Sequence, residues 1–329
     1  MPTDTGLEQR IRDALDYQAG QAPHPAAIRL PAGRTRRRPA LPLVLAAAAL
    51  VALAGVGVPV GLRLIGGPAA QHTAQPAVST SSPSTSAAAQ PGVVLRYRPG
   101  WLPGGYAEAQ RGIETLNGFQ VRVWTPGRGT TIASGPSIEL AVNPITASDR
   151  ADITGMVNSE RKQSVNGAQG AYTWVPPQSG LSGARLIWLP DPDTALIVTV
   201  YQAGDASDTA LRVARSVVPD GAATIQNPIT VRDTTGFQDP EYFTNGTAPT
   251  HWSAQLIMAG TGSSSLTVSW GAPDLAPTAK PLPDTHTIQR ELDGQTLTVT
   301  LVGGGQDELA RIADAVTVTP GSDPSWLGD

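Results

Sequence analysis

The longest uncharged stretch of the chain constrains its fold most. Twenty-three residues from Ala40 to Leu62 carry no charge and are mostly apolar. As a helix they would extend for about 34 Å, which is enough to cross a hydrocarbon core of about 30 Å. Four arginines lie within residues 34–38, and only Arg63 follows closely. The sequence therefore predicts a transmembrane helix over residues 39–64, with the N-terminus in the cytoplasm.

Three other interpretations of this stretch compete with a membrane anchor. A cleaved signal peptide normally has an apolar region of about 7–15 residues and a short basic lead, whereas about 38 residues precede this one. A twin-arginine export signal fits Arg36 and Arg37 only loosely. A buried core helix would rarely be uncharged for so long. A signal anchor fits best.

Residues 1–38 form the predicted cytoplasmic segment. Thr5 and Glu8 have the spacing of a capping box, and Leu7, Ile11 and Leu15 follow at helical intervals. An isolated helix over residues 6–19 is marginal in water. Its narrow apolar face therefore predicts a partner, either a cytoplasmic protein or the membrane surface. A short helix without any partner is the alternative.

Composition and charge separate the chain into two sides. Residues 1–38 carry a net charge of +3, whereas residues 64–329 have fifteen basic and twenty-three acidic side chains, or −8. An acidic outer part argues against nucleic-acid binding. The chain has no cysteine, which excludes disulfides, cysteine-ligated zinc and a thiol nucleophile. Residues 65–92, rich in Ser, Thr, Pro and Ala, have the composition of a disordered tether.

The remainder reads as two related modules, residues 93–221 and 222–321, followed by a tail over 322–329. In each module an alternating strand (196–201 and 297–302) precedes a glycine-containing loop and a short amphipathic helix (208–217 and 307–316). The matching positions lie about 100 residues apart. The predicted fold class is α+β: a transmembrane helix, a tether and two antiparallel-sheet modules, each closed by a short C-terminal helix.

A family resemblance is carried by the start of the first module. Residues 95–106 read LRYRPGWLPGGY, and the segments 165–167 (VNG), 185–188 (RLIW) and 212–217 (RVARSV) follow. This pattern resembles a poorly characterised bacterial extracytoplasmic domain family with a Leu-Pro-x-Gly-Tyr opening. Such domains occur in actinobacterial single-pass membrane proteins resembling anti-sigma-factor regulators. The resemblance covers 93–218 and, more weakly, 228–319. The zinc anti-sigma motif is absent because it needs two cysteines.

The sequence offers little catalytic chemistry. His251 and His286 begin predicted strands, and no nucleophile elbow, phosphate loop or zinc-binding helix is present. The acidic residues of Asp191-Pro-Asp193 suit a turn better than a cation site. Asp233, Asp239 and Glu241 suit a solvated loop or a binding rim. Trp101 and Trp174 lie close to prolines and suit either core packing or a ligand groove. No catalytic residue, cofactor site or metal site is predicted, and the chain is not expected to be an enzyme.

Together these features predict a single-pass protein of the cell membrane whose outer modules sense or bind an envelope ligand. Residues 1–38 would then contact a cytoplasmic regulator. The alternative is an envelope carrier or scaffold that binds lipid or protein without signalling. Trp326, in the polar tail, is expected to be exposed.

Overall fold

The computed structural model describes residues 92–127, 135–147, 149–158, 161–173, 175, 181–202, 204–261, 264–275, 284–319 and 324–328. The predicted cytoplasmic helix, the span over 39–64 and nearly all of the tether lie outside these residues, as does Trp174. No helix within the described ranges has the length and apolar character needed to cross a membrane.

The first half of the described chain contains eleven strands and two helices. The strands are β1 (Val93–Val94), β2 (Tyr97–Pro99), β3 (Tyr106–Glu114), β4 (Gln120–Pro126), β5 (Ser137–Pro144), β6 (Lys162–Val165), β7 (Ala168–Thr173), β8 (Ser182–Asp191), β9 (Thr194–Gln202), β10 (Val217–Pro219) and β11 (Thr224–Ile225). Helix α1 (Arg150–Val157) follows β5, and helix α2 (Ala206–Ser216) follows β9.

The second half contains seven strands, a 3₁₀ turn and one helix. The strands are β12 (Ile229–Val231), β13 (Phe237–Ala248), β14 (His251–Gly260), β15 (Ser265–Gly271), β16 (Thr285–Leu292), β17 (Gln295–Val302) and β18 (Val316–Val318). The 3₁₀ turn (Pro273–Leu275) follows β15, and helix α3 (Gln306–Ala315) follows β17.

The predicted fold class is wrong in its central point, because the two halves do not form separate sheets. Twelve strands form one sheet in the order β16-β17-β15-β14-β13-β3-β4-β5-β9-β8-β7-β6, and every neighbouring pair is antiparallel. The order β3-β4-β5-β9-β8 on one side matches β13-β14-β15-β17-β16 on the other. The described residues form a large antiparallel sheet with three α-helices.

The strand pair β3–β13 joins the halves. Residues 241–245 of β13 pair with residues 110–114 of β3 in unbroken antiparallel register. Gly112 permits this contact, because a side chain there would collide with the ring of Phe243 and would lie 2.8 Å from Val121 Cγ1. An unpaired edge strand has a row of free N–H and C=O groups. Pairing β3 with β13 gives hydrogen-bond partners to the facing N–H and C=O groups of both strands, so neither strand is a sheet edge.

Helices α2 and α3 pack on the same face of the sheet. Residues directly opposite one another on antiparallel strands point to one face. Arg122 on β4 is opposite Arg111 on β3, which is opposite Thr244 on β13, which is opposite Ala254 on β14. Trp124 packs in the core under α2, and Ala254 packs in the core under α3. The polar residues in the middle of this row therefore lie between two apolar cores.

Each core has the same construction. Alternate residues of the strands are buried against the apolar stripe of the helix, as the period-2 and 3.6-residue patterns require. Under α2 the helix contributes Ala206, Ala210, Val213 and Ala214. Under α3 the helix contributes Leu309, Ile312 and Ala313. Helix α1, which the sequence analysis did not predict, covers a third core on the opposite face of the sheet, where Ile153 and Val157 are buried.

The segment between the halves, residues 217–231, is fastened by three short ladders. Strand β10 pairs with β2, β11 pairs with β1, and β12 pairs with β18. The side chain of Gln120 fastens the stretch between β1 and β2 to the sheet, because it accepts from the Arg96 N–H and donates to the Val94 carbonyl. The connecting segment therefore lies across the middle of the helical face as a fixed structure.

Candidate functional site

A cleft of about 860 Å³ lies on the helical face, where the two halves meet. Its floor consists of the central polar residues of the sheet. One wall is the connecting segment over residues 219–226, and another is the C-terminal segment over 324–326. The lining residues are Arg98, Arg111, Arg122, Pro219, Asp220, Gly221, Ala222, Ala223, Thr224, Ile225, Gln226, Thr244, Pro324, Ser325 and Trp326.

Glu108 holds the two arginines of the floor. Its Oε1 accepts from Arg111 Nε at 3.1 Å and from Arg122 Nε at 2.6 Å. Its Oε2 accepts from the Nη2 atoms of the same two arginines, at 2.9 Å in each case. All three side chains are more than nine-tenths buried. One carboxylate therefore fixes two guanidinium groups by paired, charge-assisted hydrogen bonds.

Asp220 connects this floor to the segment between the halves. Its Oδ2 accepts from Arg122 Nη1 at 2.6 Å, and its Oδ1 accepts from the N–H groups of Ala222 and Ala223. Arg122 Nη1 also donates to the Tyr97 carbonyl, and Arg111 Nη1 donates to the Thr224 carbonyl at 2.9 Å. The bonds to Asp220 and to the Thr224 carbonyl span 98 and 113 residues of sequence and attach the wall of the cleft to the sheet.

The electrostatics of the site favour the charged forms of these groups. Burial disfavours ionised Asp220, but the hydrogen bond from Arg122 and those from Ala222 and Ala223 outweigh it and lower the pKa of the carboxyl. Burial likewise disfavours charged Arg122, yet Glu108 and Asp220 together raise the pKa of its guanidinium above the ordinary value. The ion pair between Arg122 and Asp220 is therefore charged at neutral pH.

The C-terminal segment closes one side of the cleft. The guanidinium carbon of Arg111 lies 4.1 Å from the ring centroid of Trp326, which is a cation–π distance. Leu327 is fully buried, and the Gly328 N–H donates to the Glu108 carbonyl at 3.1 Å. The sequence-based expectation that Trp326 is exposed is therefore wrong, since it is partly buried over an arginine that the sequence did not single out.

The floor arginines keep donors available. A guanidinium carries five N–H groups. The hydrogen bonds described above account for three donors of Arg111 and four of Arg122. Three N–H groups of these two cleft-lining side chains therefore have no acceptor among the described residues. Arg98, on β2, is exposed at the cleft. The site thus combines fixed arginine donors, a hydroxyl from Thr244 and the flat ring of Trp326.

A second polar cluster lies at the β13–β14 hairpin. His251 Nδ1 is 2.9 Å from Thr247 Oγ1, and His251 Nε2 is 3.0 Å from Asp274 Oδ1. A hydroxyl, an imidazole and a carboxylate in series are the parts of a nucleophilic triad. Here the imidazole and the carboxylate are largely exposed, at 41% and 66% of the side-chain surface, and the cluster does not line the described cleft. We assign the cluster to fastening the 3₁₀ turn to the hairpin.

A third polar group lies on the opposite face of the sheet. Glu139 on β5 is opposite Thr199 on β9, which accepts from Arg185 Nε at 3.2 Å. Burial raises the pKa of the Glu139 carboxyl, and the nearby Arg185 offsets this only in part. Burial also raises the pKa of the neighbouring Tyr201.

The residues weighed from sequence lie apart from one another. Asp191 forms a turn, since its carboxylate accepts from the Asp193 N–H at 2.9 Å. Asp233 pairs with Arg311 of α3. His286 lies on the outermost strand β16. Trp101 stacks under the guanidinium of Arg212 at 3.8 Å. Within the described residues, no three His, Asp or Glu side chains are grouped so that they could hold a metal ion.

Comparisons with known proteins add little to this geometry. No protein-family model matches the chain, and no curated protein matches it. Among solved structures, the chain is similar to one described as the crystal structure of MucB in complex with MucA(peri). The identity is 11% and the TM-score 0.22, over 66% of this chain and 94% of that chain. At that TM-score the likeness establishes no shared fold.

Proposed function

We propose that this chain is a binding module of the cell envelope that takes a segment of a partner protein in the cleft between its two halves. The cleft itself is the observation that carries the proposal. Its volume is within the range of ligand sites, and its polar side chains are already held in place. Convergent, fixed polar groups in a concave site are typical of binding surfaces.

The location outside the cytoplasm rests on the sequence. The arginines before residue 39 and the acidic composition after residue 64 support it, as does the resemblance to extracytoplasmic domains of membrane-anchored regulators. A role in signalling through residues 1–38 remains a prediction.

The lining of the cleft argues against the alternative of a lipid carrier. Arg111, Arg122 and Asp220 lie in its floor and wall. Placing an acyl chain over these groups would remove water from them without replacing its hydrogen bonds, which is costly. Within the described residues, the large apolar cores are filled by side chains from α1, α2 and α3.

Site-specific cross-linking in intact cells tests the proposal. A photoreactive amino acid at Ser325, which is exposed at the cleft, is expected to form an adduct with a defined segment of one protein. The same group at Leu116, which is 70% exposed on the β3–β4 turn, serves as the control. Identical adducts from both positions, or none from position 325, would contradict a binding cleft.

A further inference from the structure

We propose that the cleft is specific for carboxylate groups, and that its ligand is an acidic peptide segment. Arg98 and the N–H donors of Arg111 and Arg122 that have no acceptor among the described residues would bind a carboxylate of that segment. This inference rests on the proposed function and adds the chemistry of the partner.

The distribution of charge supports an anionic ligand. Residues 64–329 carry an excess of eight negative charges, so the outer part of the chain as a whole repels anions. The short stretch from residue 95 to residue 123 reverses this balance, with four arginines and two glutamates. Three of these arginines line the cleft. A local positive site on an acidic body draws an acidic segment to that site.

The site is preorganised for planar anions. Glu108 holds both guanidinium planes by two bonds each, and the ring of Trp326 supports Arg111. Glu108 already occupies the Nε–Nη2 fork of Arg111 and of Arg122. A ligand carboxylate would therefore take the fork of Arg98 together with the remaining single N–H donors of the floor arginines. Because these side chains are already ordered, a ligand loses little of its binding energy to fixing them.

The net charge of the cleft favours a carboxylate ligand over a phosphate. Arg98, Arg111 and Arg122 contribute three positive charges, while Glu108 and Asp220 contribute two negative ones. The cleft therefore has an excess of about one positive charge, and both carboxylates lie within hydrogen-bonding distance of the arginines. A doubly charged phosphate would meet these carboxylates at close range. A single carboxylate matches the excess.

The walls favour a peptide over a free small acid. Gly221, Ala222 and Ala223 form a wall with very short side chains, and Trp326 offers an aromatic surface beside the arginines. Such a wall leaves room for a backbone to approach while an acidic side chain reaches the floor.

Titration calorimetry on the full chain tests the inference with three probes. Two synthetic heptapeptides of otherwise neutral residues are compared, one with a single glutamate at its centre and one with glutamine there, and inorganic phosphate is the third. We expect the glutamate peptide to bind at least tenfold more tightly than the glutamine peptide, and to weaken as salt rises. Arg98→Gln is expected to weaken its binding about tenfold.

Arg161→Gln is the matched control, because Arg161 is exposed and contacts Tyr172 near the far edge of the sheet. It should leave the affinity unchanged. Equal binding of both peptides, no effect of Arg98→Gln, or phosphate binding more tightly than the glutamate peptide would each overturn the inference. In those cases an adduct at position 325 would still support a cleft that binds a neutral or phosphorylated segment. The absence of any adduct would instead contradict the proposed function itself.

Discussion

At the scale of residues, the molecule depends on ionised side chains buried in the middle of a sheet. Taking such charges out of water is expensive, and only complete pairing offsets the cost. Glu108, Arg111 and Arg122 could not be identified from the sequence as a site. Their strands alternate like any half-exposed strand, and Asp220 and Trp326, which complete the cluster, lie 98 residues or more beyond Arg122 along the chain. Only the fold brings them together.

Asp220→Asn tests the link between the cleft wall and the floor. We expect the variant to be less stable at pH 7 by about 2 kcal/mol, since Arg122 loses a charged partner. The folded-state pKa of Asp220 is lowered, so its contribution is present above the unfolded pKa and is lost as pH falls through the folded one. Urea denaturation should therefore show the difference shrinking below about pH 4. Asp293→Asn, in an exposed hairpin turn, is the control; a difference that persists unchanged in acid would contradict the assignment.

Glu139→Gln should change stability in the opposite direction to Asp220→Asn at pH 7. The folded-state pKa of Glu139 is raised, so the stability linked to its protonation is complete below the unfolded pKa and is lost as pH rises through the folded one. We therefore expect the glutamine variant to be more stable than the parent chain at pH 7 and to approach it near pH 4. Denaturation at a series of pH values measures this. Glu291→Gln, on the exposed face of β16, should show no such trend, and a destabilised Glu139→Gln at pH 7 would contradict the prediction.

At the scale of elements, the sequence predicts individual strands and helices well but does not predict which distant strands pair. The strands placed by alternation at 196–201 and 297–302 lie within β9 and β17, and the helices placed at 208–217 and 307–316 overlap α2 and α3. These elements have strict periodicity and turn residues beside them. The pairing of β3 with β13 has no local signal, because any two amphipathic edge strands could pair. The prediction of two separate sheets failed at that point.

Gly112→Ala tests the junction between the halves. The new methyl group would meet Phe243 and Val121, so we expect a loss of about 1–3 kcal/mol from overpacking, measured by urea denaturation. Gly155→Ala is the matched control, since a methyl group there meets nothing within 4 Å. In helix α1 it should instead stabilise the chain by about 0.5–1 kcal/mol. A neutral effect of Gly112→Ala would mean that β3 and β13 can separate slightly at no cost.

At the scale of the whole molecule, the continuous sheet makes the two halves one structural unit. Five consecutive β3–β13 residue pairs, the β1–β11 ladder and the hydrogen bond from Arg111 to the Thr224 carbonyl join residues that belong to different predicted modules. The described part of the chain is therefore expected to unfold cooperatively, although its strand order repeats.

Calorimetry of the full chain checks this expectation. The described residues should give one transition whose calorimetric enthalpy equals the van't Hoff enthalpy. The Gly112→Ala variant should shift this transition to lower temperature without splitting it. Two separate transitions in the parent chain would contradict a single unit.

The three-part construction of the cleft has a consequence during synthesis. The floor comes from residues 98–122 and Thr244, one wall from residues 219–226 and the other from residues 324–326. The cleft is therefore complete only after the last of these segments has emerged from the ribosome. A nascent chain that has completed only its first half lacks strand β13, which pairs with β3, and lacks Trp326, which covers Arg111. Competence to bind would therefore arise late and abruptly, and a partner that recognises this cleft would engage finished molecules and ignore truncated ones.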